Sequence, residues 1–242
     1  MIGNPDSQTP FWEMQIEPDN CAIVAEVMII RQFGINIVQE SANFLASLYG
    51  WYCTGGKGTA LRDMGNLMTK YGIANHLRVG ASQRELKEDL MRELIDGHGI
   101  IVGIRPPYAR GMVELNPFAN TGRIGQTQDT GAPMNHAVVL TGIDMTNPDA
   151  PKAIVNDPGH ENGAREEWPL DHFLEACWSG GRFYVATDVP LPGHAQQEPP
   201  ILGDIQKIYR EWIDNRDQIT GADASKMDLD ALYADMRIMD SL

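Results

Sequence analysis

Cysteine is scarce in this chain: three residues in 242, Cys21, Cys53 and Cys177. With so few, and none in a CxxC-like pairing, a disulfide framework and a cysteine-based zinc site are excluded, and the odd number leaves at least one free thiol. Positive charge is scarce too. Nineteen Lys and Arg stand against thirty-three Asp and Glu, a formal net charge of -14. Such a surface repels a phosphate backbone on average, which argues against nucleic acid as a partner. No apolar run approaches the ~20 residues of a membrane span, and the opening "MIGNPDSQTPFWEMQ" has neither the basic start nor the apolar core of a signal peptide. The chain is therefore expected to have no membrane partner and to be cytoplasmic by default, with export by a signal-peptide-independent secretion system as the alternative. Histidines number six. The stretch "HENGAREEWPLDH" offers His160, Glu161 and His172 in a spacing that matches no helical zinc motif, so neither a metal nor a cofactor is expected.

What is present is a core. Hydrophobic residues make up 43% of the chain, and Ile23, Val24, Val27, Met28 and Ile30 fall near helical spacing with Gly34 as a stop. They predict a buried helix over residues 21–33, with a strand as the alternative because several are β-branched. "NIVQESANFLASLYG" predicts a second helix ended by Gly50. "GTALRDMGNLMTKYG" predicts a third, capped by Thr59 and stopped at Gly72. "GASQRELKEDLMRELIDG" predicts a fourth, with Ser82 and Glu85 as a capping box. After Gly97 the pattern changes to short β-branched runs, "GIIVGI", "HAVVLTGID", "KAIVNDP" and "RFYVATDV", which read as strands. Cys177, in the amphipathic "LDHFLEAC", reads as core, and Cys53 as part of a Gly-rich turn. A loop of about thirty residues between the first two strands is long enough to be a functional element, a lid or specificity loop over residues 105–135. A proline-rich linker over 189–203 precedes a tail, 204–242, in which Ile205, Ile208, Trp212 and Ile213 suit an amphipathic helix. That tail is expected to dock on a protein partner or to mediate self-association.

Cys21 sits between the turn signal "EPDN" and the buried helix. Unpaired N–H groups and the macrodipole at a helix start favour a thiolate, and Asp19 or Asn20 is placed to cap that start. Gln15, six residues earlier, is spaced to reach back and join the Cys21 N–H in polarising a carbonyl oxygen. His136 opens the strand "HAVVLTGID", where an imidazole can act as a base. Asp157 ends "KAIVNDP", where a carboxylate can hold that imidazole in one tautomer.

In these features the chain resembles the papain-like bacteriocin-processing (double-glycine leader) peptidases, over about residues 11–187, without their transporter domains. The resemblance rests on Gln-x5-Cys at a helix start, "GTALRDMGNLMTKYGI", "GHGIIVGI", "MNHAVVLTGID", "IVNDPGHENG" and the stretch from Trp168. It implies an α+β papain-like fold over residues 1–188, a helical half followed by an antiparallel sheet half. It also implies Cys21 as nucleophile, His136 as base, Asp157 as its orienter and Gln15 as oxyanion donor. Family members often carry Asp before the cysteine and Gly after it, where this chain has Asn20 and Ala22. The expected activity is that of a cysteine peptidase or amidohydrolase acting on a peptide, isopeptide or peptidoglycan amide. An acyltransferase or transglutaminase-type outcome and a catalytically silent binding module are the alternatives.

Overall fold

The computed structural model describes residues 1–53, 55, 58–105 and 136–194. The long insertion over 106–135, the rest of the linker and the tail lie outside the described residues. In chain order the elements are β1 (Ile2–Gly3), α1 (Pro5–Gln8), α2 (Cys21–Gln32), α3 (Gln39–Leu48), β2 (Tyr52–Cys53), β3 (Gly58–Thr59), α4 (Asn66–Lys70), β4 (Asn75–Val79), α5 (Gln83–Ile95), β5 (Ile100–Ile104), β6 (His136–Asp144), β7 (Lys152–Asn156), β8 (Glu166–Pro169), α6 (Leu170–Ser179) and β9 (Phe183–Thr187). The fold is α+β.

The main sheet runs β4-β9-β5-β6-β7-β8 with β1 added to β6, and β2 and β3 form a separate hairpin. Every pair is antiparallel. All four runs read as strands become β5, β6, β7 and β9. Alternation along them sends side chains to two cores. Ile101, Ala137, Val139, Phe183 and Val185 pack with α2, whereas Ile100, Val102, Ile104, Val138, Leu140 and Tyr184 pack with α5 and α6. A sheet covered on both faces explains why these strands are apolar at consecutive positions rather than at alternate ones.

Helix α2 is buried at every position from 22 to 30. It is apolar nearly all round, as a central helix must be. Each of its Ile, Val or Met side chains removed from water contributes about 1.5–3 kcal/mol. The effect is to hold the residue that opens the helix, Cys21, on a rigid support. On the opposite face of the sheet, α5 presents Leu86, Leu90 and Leu94 at four-residue intervals. Its start has the expected cap: Ser82 Oγ accepts from Glu85 N at 3.0 Å. The Glu85 carboxylate reaches back to Ala81 N at 2.9 Å.

The third expected helix is a correction. Thr59 caps nothing; it belongs to β3, followed by a 3-10 turn over Leu61–Asp63 and then the short α4. Gly65 is the reason. It takes a left-handed φ of 87°, and a Cβ there would lie 2.1 Å from Asn75 Oδ1, so the chain reverses where the spacing suggested continuity. After β9 the chain stays on the domain, with Leu191 N donating to Gly97 O at 2.8 Å. Among the described residues no helix is long and apolar enough to cross a membrane.

Candidate active site

Cys21 is the first residue of α2 and its thiol is free and half-buried. The expected side-chain cap is absent. Asn20 occupies the N-cap position without bonding the first turn. Its Oδ1 accepts from Glu17 N at 3.3 Å, and its Nδ2 donates to Gln39 Oε1 at 3.4 Å and Asn43 Oδ1 at 3.2 Å. Asp19 is likewise occupied, accepting from the Tyr52 hydroxyl at 2.6 Å. Burial and then the Asp19 carboxylate push the Tyr52 phenol above its ordinary range, which keeps it a neutral donor. Both polar residues ahead of the cysteine are thus used to fix the turn, and the N–H groups at the start of α2 are not taken by the Asn20 side chain.

His136 and Asp157 lie at adjacent strand ends and meet as a buried pair, with 2.6 Å between Nε2 and Oδ1. The antiparallel register between β6 and β7 carries them there, since His136 opens one strand and Asp157 follows the last residue of the other. The same Oδ1 also accepts from Gly159 N at 2.7 Å. A Cβ on Gly159 would stand 2.7 Å from His136 Cε1, so glycine is what lets the 157–163 loop close against the imidazole. Nδ1, the other ring nitrogen, is buried with no oxygen or nitrogen partner. The Cys21 thiol is close enough to strengthen the ring's hold on a proton. Burial, the largest influence, favours the neutral ring; the charge and hydrogen bond of Asp157 and then Cys21 outweigh it and raise His136 to about 10. The result is an imidazolium held at neutral pH, with one nitrogen committed to a carboxylate and the other left to the Cys21 thiol.

Gln15 is fully buried. Its backbone N donates to Pro158 O at 2.8 Å, and one hydrogen of its side-chain Nε2 goes to Glu17 O at 2.8 Å. The amide carries a second donor hydrogen. Its orientation follows from the Glu17 carbonyl, because reversing the amide would set oxygen against oxygen. Trp12 Nε1 donates to Asp157 O at 2.8 Å, so the segment bearing Gln15 is fastened to the loop that bears Asp157. Sequence reasoning did not single out Trp12, Gly159 or Gln39. The glycine after Asp-Pro was the one visible signal among them; the other two bond partners far away in the chain.

The remaining histidines lie in other surroundings. His76 Nε2 and His98 Nδ1 share the Glu93 carboxylate at 3.3 and 2.5 Å, and His76 Nδ1 meets Asp188 at 2.6 Å. His160 lies 3.5 Å from Glu166. Among the described residues no group of three or more His, Cys, Asp or Glu is arranged to hold a metal ion. Cys177 is buried in the core, as expected, and Cys53 is exposed.

The model of the Peptidase_C39 like family matches residues 7–184. This chain belongs to the Peptidase_C39 like family. Curated relatives of this C39-like chain include an uncharacterized protein of Mycobacterium tuberculosis (strain ATCC 25618 / H37Rv), 25% identical over 77% of this chain and 84% of the relative. An uncharacterized protein of Mycobacterium bovis matches to the same extent. Among solved structures, a protein described as a C39-like peptidase from Bacillus anthracis aligns with a TM-score of 0.51 at 15% identity, covering 77% of this chain and 96% of that one. That likeness shows a shared fold, a helical part followed by an antiparallel sheet. Membership in the C39-like family makes the chain an enzyme of the cysteine peptidase type.

Proposed function

We propose that this chain cleaves a peptide, isopeptide or peptidoglycan amide through a Cys21–His136–Asp157 acyl-enzyme mechanism. The observation that carries the reading is the buried His136–Asp157 pair, whose second ring nitrogen has no partner but the thiol at the start of α2. The Cys21 thiolate attacks the amide carbonyl and a C–S bond forms. The negative charge that develops on oxygen is met by the Cys21 N–H and the second amide hydrogen of Gln15, donors of a kind worth ~10²–10³-fold each in rate. The imidazolium of His136 gives its proton to the leaving amine as the C–N bond breaks. As a neutral base it then takes a proton from water, which attacks the thioester and frees the thiol. Asp157 keeps Nε2 occupied, so that Nδ1 handles the proton in both steps.

In the same reading residues 1–188 are the catalytic domain, 189–203 a linker and 204–242 a docking or self-association element. The 105–135 insertion acts in substrate selection. Brief alkylation with iodoacetamide near pH 6, followed by mass spectrometry, tests the nucleophile. Cys21 is expected to be modified well before exposed Cys53 and buried Cys177. Labelling of Cys53 at the same rate or faster overturns the assignment.

A further inference from the structure

Gln39 is the first residue of α3 and is 1% exposed. Glutamine at the first turn of a surface helix is ordinarily solvated, so its burial needs a reason. Its hydrogen bonds supply one. Nε2 donates to Met14 O at 2.7 Å, and Oε1 accepts from Ile16 N at 3.1 Å. These two backbone groups flank Gln15, so the side-chain amide pairs with the chain much as a neighbouring strand would. The same Oε1 accepts from Asn20 Nδ2 at 3.4 Å, and Asn20 immediately precedes Cys21. On its other side the 12–16 segment is fastened to the loop after β7 by Gln15 N to Pro158 O and by Trp12 Nε1 to Asp157 O.

We propose that Gln39 is a positioning residue that sets the two oxyanion donors, the Gln15 amide and the Cys21 N–H, relative to each other through its hydrogen bonds to Met14, Ile16 and Asn20. This rests on the reading of Cys21 as nucleophile and of those groups as its oxyanion site. Gln39 bonds the backbone on both sides of one donor and the side chain of the residue ahead of the other. The 12–16 segment contains no helix or strand of the main sheet, so the rotation of the chain about Gln15 is set by side-chain and backbone bonds, of which this pairing and the bond to Pro158 lie nearest Gln15 itself. An error of about 1 Å in a stabilising group is enough to lose ~10²-fold in rate.

The role separates two reactions of the same thiol. Acylation by p-nitrophenyl acetate forms a C–S bond at a carbonyl, passes through an oxyanion and expels p-nitrophenolate. Alkylation by iodoacetamide forms a C–S bond at a saturated carbon, expels iodide and develops no oxyanion. Both rates are measured on the full chain for wild type, Gln39→Ala and Gln39→Glu, with mass spectrometry locating the label. For Gln39→Ala, the expected result is acylation of Cys21 slowed ~10-fold or more, with alkylation within about twofold of wild type. Gln39→Glu keeps the length of the side chain and an acceptor for Ile16 N. Its ionised form cannot donate to Met14 O, and its protonated form can. The ratio of variant to wild-type acylation is therefore expected to rise as pH falls from about 8 to about 5, whereas a side chain that only fills space would give a flat ratio. If Gln39→Ala does not fold, that pH-dependent ratio decides alone. Equal losses of acylation and alkylation in a variant, or no loss in either, overturn the positioning role while leaving Cys21 as nucleophile. Wild type that is not acylated at Cys21 overturns the nucleophile reading, and the role of Gln39 falls with it.

Discussion

The helix side of the site fixes its groups mainly with neutral amides, whereas the sheet side fixes them with charge. Around the start of α2, Gln39, Asn20 and Asn43 exchange hydrogen bonds with one another and with the turn. None of these groups titrates in the ordinary range. Across from them, His136 and Asp157 form a buried pair in which the carboxylate holds the ring protonated. Position is thereby largely separated from proton affinity: the amides that bond around Cys21 carry no titratable group, while the sheet side responds to pH as a unit. A buried pair of this kind is weak support for stability in itself, since desolvation offsets much of the attraction. Its presence beside the Cys21 thiol fits the proposed catalytic use.

Removing the carboxylate gives the most severe break in that contrast. Asp157→Asn keeps the shape and deletes the charge, and it is expected to slow Cys21 acylation at neutral pH by ~10²-fold or more. The same variant has a thermodynamic signature. In the folded protein His136 keeps its proton up to about 10 instead of 6.5, so the pair's contribution to stability is complete below about 6.5 and is lost as pH rises through about 10. The difference in Tm between wild type and Asp157→Asn should therefore shrink from near-neutral to alkaline pH; a constant difference would contradict the assignment.

The helix side carries a buried titratable group of its own, Glu26, which sharpens the comparison. Glu26 is completely buried in α2 with Oε2 accepting from Met68 N at 3.0 Å. Burial pushes its carboxyl up from 4.5 to about 7, against the opposing pull of the Met68 N–H and neighbouring backbone donors. The sign is opposite to that of a paired carboxylate. The folded state holds the proton more tightly, so stability is fullest below about 4.5 and falls as pH rises through about 7, by an order of 3 kcal/mol. Glu26→Gln should raise Tm relative to wild type at pH 8 and do so much less at pH 5, measured by thermal melts at both values. An equal change at the two would show that the carboxyl does not titrate there.

A smaller effect is expected at Asn20. Asn20→Asp replaces a donor with a carboxylate facing the oxygens of Gln39 and Asn43, and should destabilise by ~1–3 kcal/mol, read as a lower midpoint in urea. The variant carries the residue that family members often have at this position, so an unchanged midpoint would mean that the amide network readily rearranges.

Much of this organisation was legible because it is local. The apolar run after Asn20, the Ser82 box and the four β-branched runs each declare themselves within a dozen residues, and so do a cysteine at a helix start and a histidine and an aspartate at strand ends. The misread region is the segment after Thr59, where Gly65 adopts a conformation that no hydrophobic spacing reports. Strand β4 was missed because it lies at the sheet edge and all five of its residues are exposed or half-buried, so it lacks an apolar signature. The clamps on the 12–16 segment were not readable either. Gln39 to Met14 spans 25 residues and Trp12 to Asp157 spans 145, and a hydrogen bond between remote positions leaves no mark on local composition. The resemblance supplied the roles of Cys21, His136, Asp157 and Gln15; the residues that hold them came from the structure.

The register of β5 against β6 pairs Ile104 with His136, so the long insertion leaves and rejoins the sheet at two residues that face each other across the ladder. Closing a loop between fixed neighbours costs free energy that grows only logarithmically with its length, about 0.6 kcal/mol for each doubling. Length added between these two points therefore costs little in closure of the loop. The length of whatever lies between strands β5 and β6 is thus set apart from the register that fixes His136.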